Sequence, residues 1–372
     1  MPFAGENCKV MKIAFVVGDI TSSGGIERAV SVLSDVFARH GHDVTIVSLF
    51  RAHRSPVYPF GDTVRIVFLS DEKYAVAKQG GWRRLCMFVR ILPVLRVFFR
   101  KSTFDFQLGC GFPVNFALWL LGRQRATVAC EHTNYNYYPA LVRRFRTYVY
   151  RSFFQVVTLT RNDCKKFGEQ RLGNVAVIPN PVPFVPSQQS DLSQKRIITV
   201  GRLSPEKGYD LLLGVLSEVF ERFPDWRLDI FGDGVQKEHL VKLRDDLGLQ
   251  ARVAFRGVTR NIVREYLSSS LYVLSSKHEG FGMVLIEAAA CGLPIVSFDC
   301  PEGPADILRD DGGILVEPSN AKALREAIER MLSDEDMRTY YGAKGPAIAR
   351  RYDPERIYGL WMDLLRKTSS SR

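Results

Sequence analysis

No Cys-x-x-Cys pair occurs in this 372-residue sequence; its seven cysteines, Cys8, Cys86, Cys110, Cys130, Cys164, Cys291 and Cys300, are odd in number and scattered. That pattern writes neither a disulfide framework nor a zinc knuckle, and it suits a reducing compartment. Long apolar runs are missing too. No stretch reaches the ~18–20 uncharged apolar residues of a membrane span. A secretory leader is not expected: Glu6 and Lys9 interrupt the first residues, 13–17 is only strand length, and MKIAFVV reads as a domain start at Met11. Neither a Walker A loop nor an intact G-x-G-x-x-G is present, since Gly232-Asp-Gly234 stops two residues into the pattern.

Carboxylates are scarce in the first half. Residues 1–185 carry 25 Lys and Arg against 12 Asp and Glu, whereas 186–372 carry 26 against 28. The net charge of +11 therefore comes from the N-terminal half, which is the half expected to meet anionic lipid or nucleic acid. With 46% hydrophobic and 24% charged residues the chain is otherwise an ordinary globular one, long enough for two cores.

Strand-length apolar runs at 13–17, 44–49, 66–69, 127–130 and 156–159 alternate with helical patterns. One of these is 26–39, where Val30, Leu33 and Phe37 keep i, i+3, i+7 spacing. Pro179, Pro181, Pro183 and Pro186 then fall within eight residues, which neither a helix nor a central strand tolerates. Beyond this linker the alternation restarts, with strands at 197–200, 228–231, 253–255, 271–274 and 295–298 and helices at 209–223 and 283–291. Asp353-Pro-Glu-Arg starts a last helix, expected to run to Lys367. The expected fold is α/β, two doubly wound domains facing each other across a cleft.

The strongest chemical signal is Glu279-Gly-Phe-Gly-Met-Val-Leu-Ile-Glu287, which follows a strand and opens a helix. Gly280 and Gly282 free the backbone so that first-turn amides can face an anion. On a continuous helix the two glutamates would stand about 12 Å apart, too far for one catalytic carboxylate pair. That separation suits the two ends of a nucleotide sugar. The second signal is Gly201-Arg-Leu-Ser-Pro-Glu-Lys-Gly208 after another strand. Arg202 and Lys207 place two cations on one short loop, able to neutralise a diphosphate. Gly24-Gly25, ahead of the first helix, permits close backbone approach to a phosphate or sugar.

Together these residues resemble the retaining glycosyltransferases of family 4, which have the GT-B fold of two Rossmann-like domains. The likeness spans the Gly-Gly turn, the GR…EKG loop and the E-x7-E stretch, essentially the whole chain. It implies an N-terminal acceptor-binding domain at 1–180, a nucleotide-sugar domain at 181–350 and a C-terminal helix at 351–372 packing back toward the first. By the resemblance Arg202 and Lys207 hold the diphosphate and Glu287 the ribose. Glu279 orients the hexose, with the backbone of Phe281, Gly282 and Met283 and, in the same turn, Val284. His132, after a strand in Ala129-Cys-Glu-His-Thr-Asn134, matches the family histidine beside the donor sugar. The implied reaction is metal-independent transfer with retention, without a cofactor, the departing diphosphate taking the proton. Asp334-Glu-Asp336 is read as solvated surface rather than a metal motif. The segment Ser297-Phe-Asp-Cys-Pro-Glu-Gly-Pro304 resembles members that use UDP-sugars of the Gal, GalNAc or Glc class for bacterial surface glycans.

Residues 82–101 project as a helix with Phe88, Ile91, Leu92, Leu95 and Phe99 on one side and Arg83, Arg90, Arg96 and Arg100 on the other. A basic amphipathic helix of this kind lies in a membrane interface or buries its stripe in a core. The expectation taken is the interface, with Arg143, Arg144, Arg146 and Arg151 adding charge, a lipid-linked or lipopolysaccharide-type acceptor, and a cytoplasmic enzyme on the inner face of the plasma membrane. The alternatives are a soluble acceptor or a nucleic-acid-binding protein. For the latter Tyr135, Tyr137 and Tyr138 are the candidate stacking residues, and no RNA-binding motif accompanies them.

Overall fold

The computed structural model describes residues 10–72 and 81–369, with the side chains of 81–85 and 368–369 outside the description. Cys8 and the side chains of Trp82, Arg83 and Arg84 thus lie outside the described residues. The chain divides into one unit of Met1–Pro181 with Pro354–Arg372 and a second of Val182–Asp353.

The first unit is a seven-stranded parallel sheet in the order β3-β2-β1-β4-β5-β6-β7. Its strands are β1 (Lys12–Val17), β2 (Asp43–Ser48), β3 (Arg65–Phe68), β4 (Phe106–Cys110), β5 (Thr127–Glu131), β6 (Gln155–Thr158) and β7 (Val175–Val177). Connecting helices are α1 (Gly25–Arg39), α2 (Gly81–Lys101), α3 (Phe112–Leu120), α4 (Ala140–Tyr150) and α5 (Arg161–Glu169). Strands with both faces covered read as unbroken apolar runs, which is why most were legible. β4 was not expected, because Gln107 and Gly109 interrupt its apolar character. Gly109 is required there: a Cβ would collide with the Asn115 side chain of α3. The short edge strand β7 was also missed.

Alternate residues of β1 point to opposite layers. Ile13, Phe15 and Val17 pack with Leu33 and Phe37 of α1, whereas Ala14 and Val16 pack with α2 and α3. This corrects the reading of 82–101. Met87, Ile91, Leu95 and Phe99 are buried against the sheet, with Phe88 and Leu92 packed at the margin. At about 25 cal/mol per Å² of apolar surface, the sheet claims that stripe for the core. Pro93 is accommodated inside α2 on its solvent side. The outward half presents Val89, Val94 and Val97 among Arg90, Arg96 and Arg100. Arg146 also departs from expectation. It is wholly buried, 3.1 Å from the equally buried Glu131, and donates to the Tyr135 carbonyl at 2.7 Å. An arginine so paired adds nothing to a surface charge.

The second unit is a six-stranded parallel sheet in the order β10-β9-β8-β11-β12-β13. It comprises β8 (Arg196–Val200), β9 (Arg227–Phe231), β10 (Val253–Gly257), β11 (Leu271–Leu274), β12 (Ile295–Phe298) and β13 (Ile314–Val316). The helices are α6 (Tyr209–Arg222), α7 (Lys237–Asp246), α8 (Ile262–Leu267), α9 (Met283–Ala290), α10 (Pro304–Leu308), α11 (Ala321–Ser333) and α12 (Glu335–Arg350). Asp334 caps α12 by accepting the Met337 amide at 2.8 Å, an ordinary surface duty. β13, only three residues long, was the strand missed here.

The chain ends in α13 (Pro354–Ser369), which belongs to the first unit, where Tyr358, Trp361, Met362 and Leu365 join the core around α1. Glu355 meets Arg39 at 2.9 Å and the His40 ring at 2.6 Å, and His40 stacks on Tyr358 at 3.9 Å. Among the described residues no helix is long and apolar enough to cross a membrane.

Candidate functional site

In each sheet the strand order reverses at one place, between β1 and β4 and between β8 and β11. Loops leaving the carboxyl ends of neighbouring strands diverge there and open a crevice, the usual ligand position in doubly wound sheets.

In the second unit that place is built from the loops after β8 and β11. The Lys277 amide donates to the Glu206 carbonyl at 2.8 Å, and the Ser275 hydroxyl to the Lys207 carbonyl at 2.9 Å. Gly208 turns with φ of +63°, where a Cβ would strike the Ser275 carbonyl. These contacts bring Lys207 Nζ to 2.6 Å from Glu279 Oε1, with the two side chains only 18% and 10% exposed. Arg202, on the same loop, is exposed and forms no ion pair among the described residues. One side of the crevice thus offers an unengaged guanidinium and a lysine held by a carboxylate.

The other wall is the start of α9. The helix begins at Met283, after Gly282 at φ +90°, so Glu279 and Glu287 do not share one continuous helix. The first-turn amides of Met283 and Val284 have no intrahelical acceptor. Phe281 is buried, with its ring 5.5 Å from Tyr352. Its carbonyl passes so close to Gly303, at φ +102°, that a Cβ there would overlap it. Glu287 lies on the Met283 face one turn further along, about 6 Å deeper. It is 1% exposed in an otherwise apolar helix and accepts the Tyr266 hydroxyl at 3.2 Å. A carboxylate is costly in such a place, and function is the usual reason for one. The charges converge on their neighbours. Burial, then Tyr209, Glu279 and Glu287, drive the Tyr272 hydroxyl well above its ordinary value. Burial and Glu287 push Cys291 up to about 12. Glu302, buried within the segment that follows β12, is near enough to act with Glu279 on the Cys300 thiol. Sequence reasoning placed neither Glu302 nor Tyr266 in the site.

In the first unit Gly24 caps α1 and Gly25 is its first residue. The preceding loop is fixed by buried Asp19, which accepts the Thr21 hydroxyl at 2.6 Å and the Ala52 amide at 2.8 Å. His132 follows β5, its ring nitrogens buried and in hydrogen-bonding geometry with no described residue. It lines a cavity of about 10 Å³, room for one water, with Cys110, Cys130 and Asn180. Cys110 and Cys130 are register partners on β4 and β5. Cys130 draws the Cys110 thiol below its ordinary range against the opposing effect of burial, and the His132 ring acts the same way. Of the tyrosines named as candidate stacking residues, Tyr137 is 65% exposed. Tyr135 packs edge-on against Phe167 at 4.9 Å, and Tyr137 against Tyr138 at 5.0 Å.

Two family descriptions divide the chain between them: "Glycosyltransferase Family 4" matches residues 23–184 and "Glycosyl transferases group 1" matches 184–347. The chain belongs to glycosyltransferase family 4. The family 4 chain is 28% identical to an uncharacterized glycosyltransferase of Haemophilus influenzae over 361 residues, 95% of this chain and 99% of that one. It is 27% identical to the amylovoran biosynthesis glycosyltransferase AmsD of Erwinia amylovora over 365 residues, again 95% and 99%. Among solved structures, a mutant of S. aureus TarM in complex with fondaparinux, α-GlcNAc-glycerol and UDP superposes with a TM-score of 0.80 at 15% identity, covering 96% of this chain and all of that one. The fold is therefore GT-B, and the family 4 chain is a glycosyltransferase.

Proposed function

We propose that this glycosyltransferase moves a hexose of the Gal, GalNAc or Glc class from a UDP-sugar, with retention, onto a lipid-linked or lipopolysaccharide-type acceptor of bacterial surface glycan assembly. The Lys207–Glu279 pair beside the α9 terminus is the observation that carries it. Arg202 and Lys207 hold the diphosphate and supply the positive charge a leaving group needs, so no metal is called for. The amides around Gly282, Met283 and Val284 add the partial positive end of α9. Glu287 takes the ribose hydroxyls and Glu279 the hexose, with the backbone at Phe281 shaping the turn. In the first unit Gly24 and Gly25 admit the sugar or acceptor closely, and His132 bonds a sugar hydroxyl or phosphate oxygen. A leaving phosphate oxygen receives the proton of the incoming hydroxyl. The UDP in the TarM complex and the amylovoran role in the AmsD name support the donor and the pathway class.

The outward half of α2, valines among arginines, supports peripheral contact with the anionic inner face of the plasma membrane. The decisive experiment incubates the enzyme with UDP-hexoses and a lipid-linked acceptor mixture, with and without chelator, and determines the anomeric configuration by NMR. Retained configuration at an undiminished rate under chelation is expected. An inverted product or a strict Mg²⁺ requirement would overturn the scheme.

A further inference from the structure

The helices α2, α3 and α4 contain no carboxylate. From Lys73 to Asn162 the sequence carries 15 Lys and Arg against Asp105 and Glu131 alone. Both acids are engaged elsewhere: Asp105 accepts the Lys12 amide at 2.7 Å, and Glu131 holds Arg146 in the core. No described carboxylate forms an ion pair with the arginines at the end of α2.

Arg96 and Arg100, one turn apart, line a cavity of about 310 Å³ together with Phe99, Leu121, Gly122 and Arg123. None of the three arginines forms an ion pair with a described residue. Like charges at i, i+4 repel, and a third guanidinium worsens the field. Arg123 is nonetheless fixed in place. It donates to the Phe99 carbonyl in the last turn of α2, where a carbonyl lacks an intrahelical donor, and its guanidinium lies 5.1 Å from the Phe99 ring centroid. Gly122, at φ +69°, leaves the entrance open, with nothing within 4 Å of where a Cβ would be. Three arginines lining one pocket without an ion-paired carboxylate suit a phosphate oxyanion. The surroundings say which kind. Val97 and Leu120, chain neighbours of the lining residues Arg96 and Leu121, are both exposed. Apolar side chains around a cationic pocket fit a headgroup carried on acyl chains better than a free anion.

We propose that the Arg96–Arg100–Arg123 pocket is a phosphate-binding site that seats the headgroup phosphate of an anionic lipid. The proposal rests on the membrane reading above and gives it a specific receptor. The full chain is tested by co-sedimentation with phosphatidylcholine vesicles containing phosphatidylglycerol, and with inorganic phosphate in solution by NMR of the arginine side-chain nitrogens. R96Q/R100Q is compared with the charge-matched R90Q/R144Q, both checked for folding by circular dichroism. The expected result is a loss of vesicle affinity about tenfold greater in R96Q/R100Q than in its control, with phosphate shifting the signals of Arg96, Arg100 and Arg123. Equal losses overturn the pocket while leaving diffuse membrane attraction intact. Failure of the unaltered protein to bind vesicles removes the membrane reading and the lipid occupant together. Phosphate binding with unchanged vesicle affinity in R96Q/R100Q assigns the pocket to a soluble phosphoester and overturns the lipid.

Discussion

Lys207 Nζ and Glu279 Oε1 stand 2.6 Å apart, although 72 residues separate them in the chain. The pair joins the loops of two strands that neighbour each other only because β8 and β11 flank the point where strand order reverses. On the proposed reading, it sets a cation and a carboxylate for opposite ends of a sugar diphosphate. Lys207→Ala is expected to lower kcat/KM about 1,000-fold, and Glu279→Gln to lower kcat with UDP affinity retained. Steady-state kinetics and calorimetry with UDP check both. Near-normal turnover in Lys207→Ala would remove the assigned role.

Glu287 is expected to act in binding rather than folding. Glu287→Ala removes a buried charge whose desolvation opposes folding, so unfolding experiments should show little loss of stability. Its UDP affinity should fall about tenfold or more as ribose hydrogen bonds are lost. Tyr266→Phe removes only the 3.2 Å hydrogen bond to Glu287 and should have a smaller effect. A Glu287→Ala protein that binds UDP as the unaltered chain does would refute the ribose assignment.

The first unit is expected to be acid-sensitive through His42. Burial, then His40 and Arg366, hold this imidazole below its ordinary 6.5. Its ring is 2.9 Å from the Tyr358 hydroxyl, and its Nδ1 accepts the Met11 amide at 3.2 Å. A depressed histidine pKa means that the unfolded chain takes up the proton first. Stability is therefore full above 6.5 and declines as pH falls from there toward the lower folded value. Denaturant unfolding at a series of pH values should show that decline, and His42→Gln should flatten it. Parallel profiles for the two proteins would exclude His42 as the source. Glu355 acts lower on the scale. Burial raises its carboxyl, but His40 and Arg39 outweigh it, so its contribution is lost only in the acid range.

Gly303→Ala is expected to destabilise by about 1–3 kcal/mol. The backbone there has φ of +102°, and a Cβ would lie 3.1 Å from Phe281 Cα and overlap its carbonyl. Since Phe281 leads into the α9 terminus, UDP affinity should fall with stability. Heat unfolding and UDP titration of the same variant give both numbers, and an unchanged melting temperature would show that the turn yields freely.

Most of the fold was legible because the strands are buried on both faces and so spell themselves as apolar runs between glycine and proline turns. β4 escaped because its glycine answers to Asn115, a neighbour that local sequence does not name. The amphipathic pattern of α2 was legible, but its direction was not. The pattern fixes one apolar face relative to the helix axis and leaves open whether lipid or sheet receives it. Arg146 shows the same limit: a basic run looks solvent-facing until Glu131 is found beneath it.

For the candidate site, sequence alone named the residues proposed to carry the chemistry: Arg202 and Lys207 on one loop, and Glu279, Gly282 and Glu287 around one helix start. Those are local properties, set by residue type and spacing along a single segment. The tertiary structure decided who meets whom: Lys207 with Glu279, Glu287 with Tyr266, Asp19 with Thr21 and Ala52, and the arginines of α2 with Arg123. Long-range side-chain pairs follow from strand order and from the face each helix turns to its sheet. Those in turn come from burying apolar surface over the whole domain, a sum that no single segment contains.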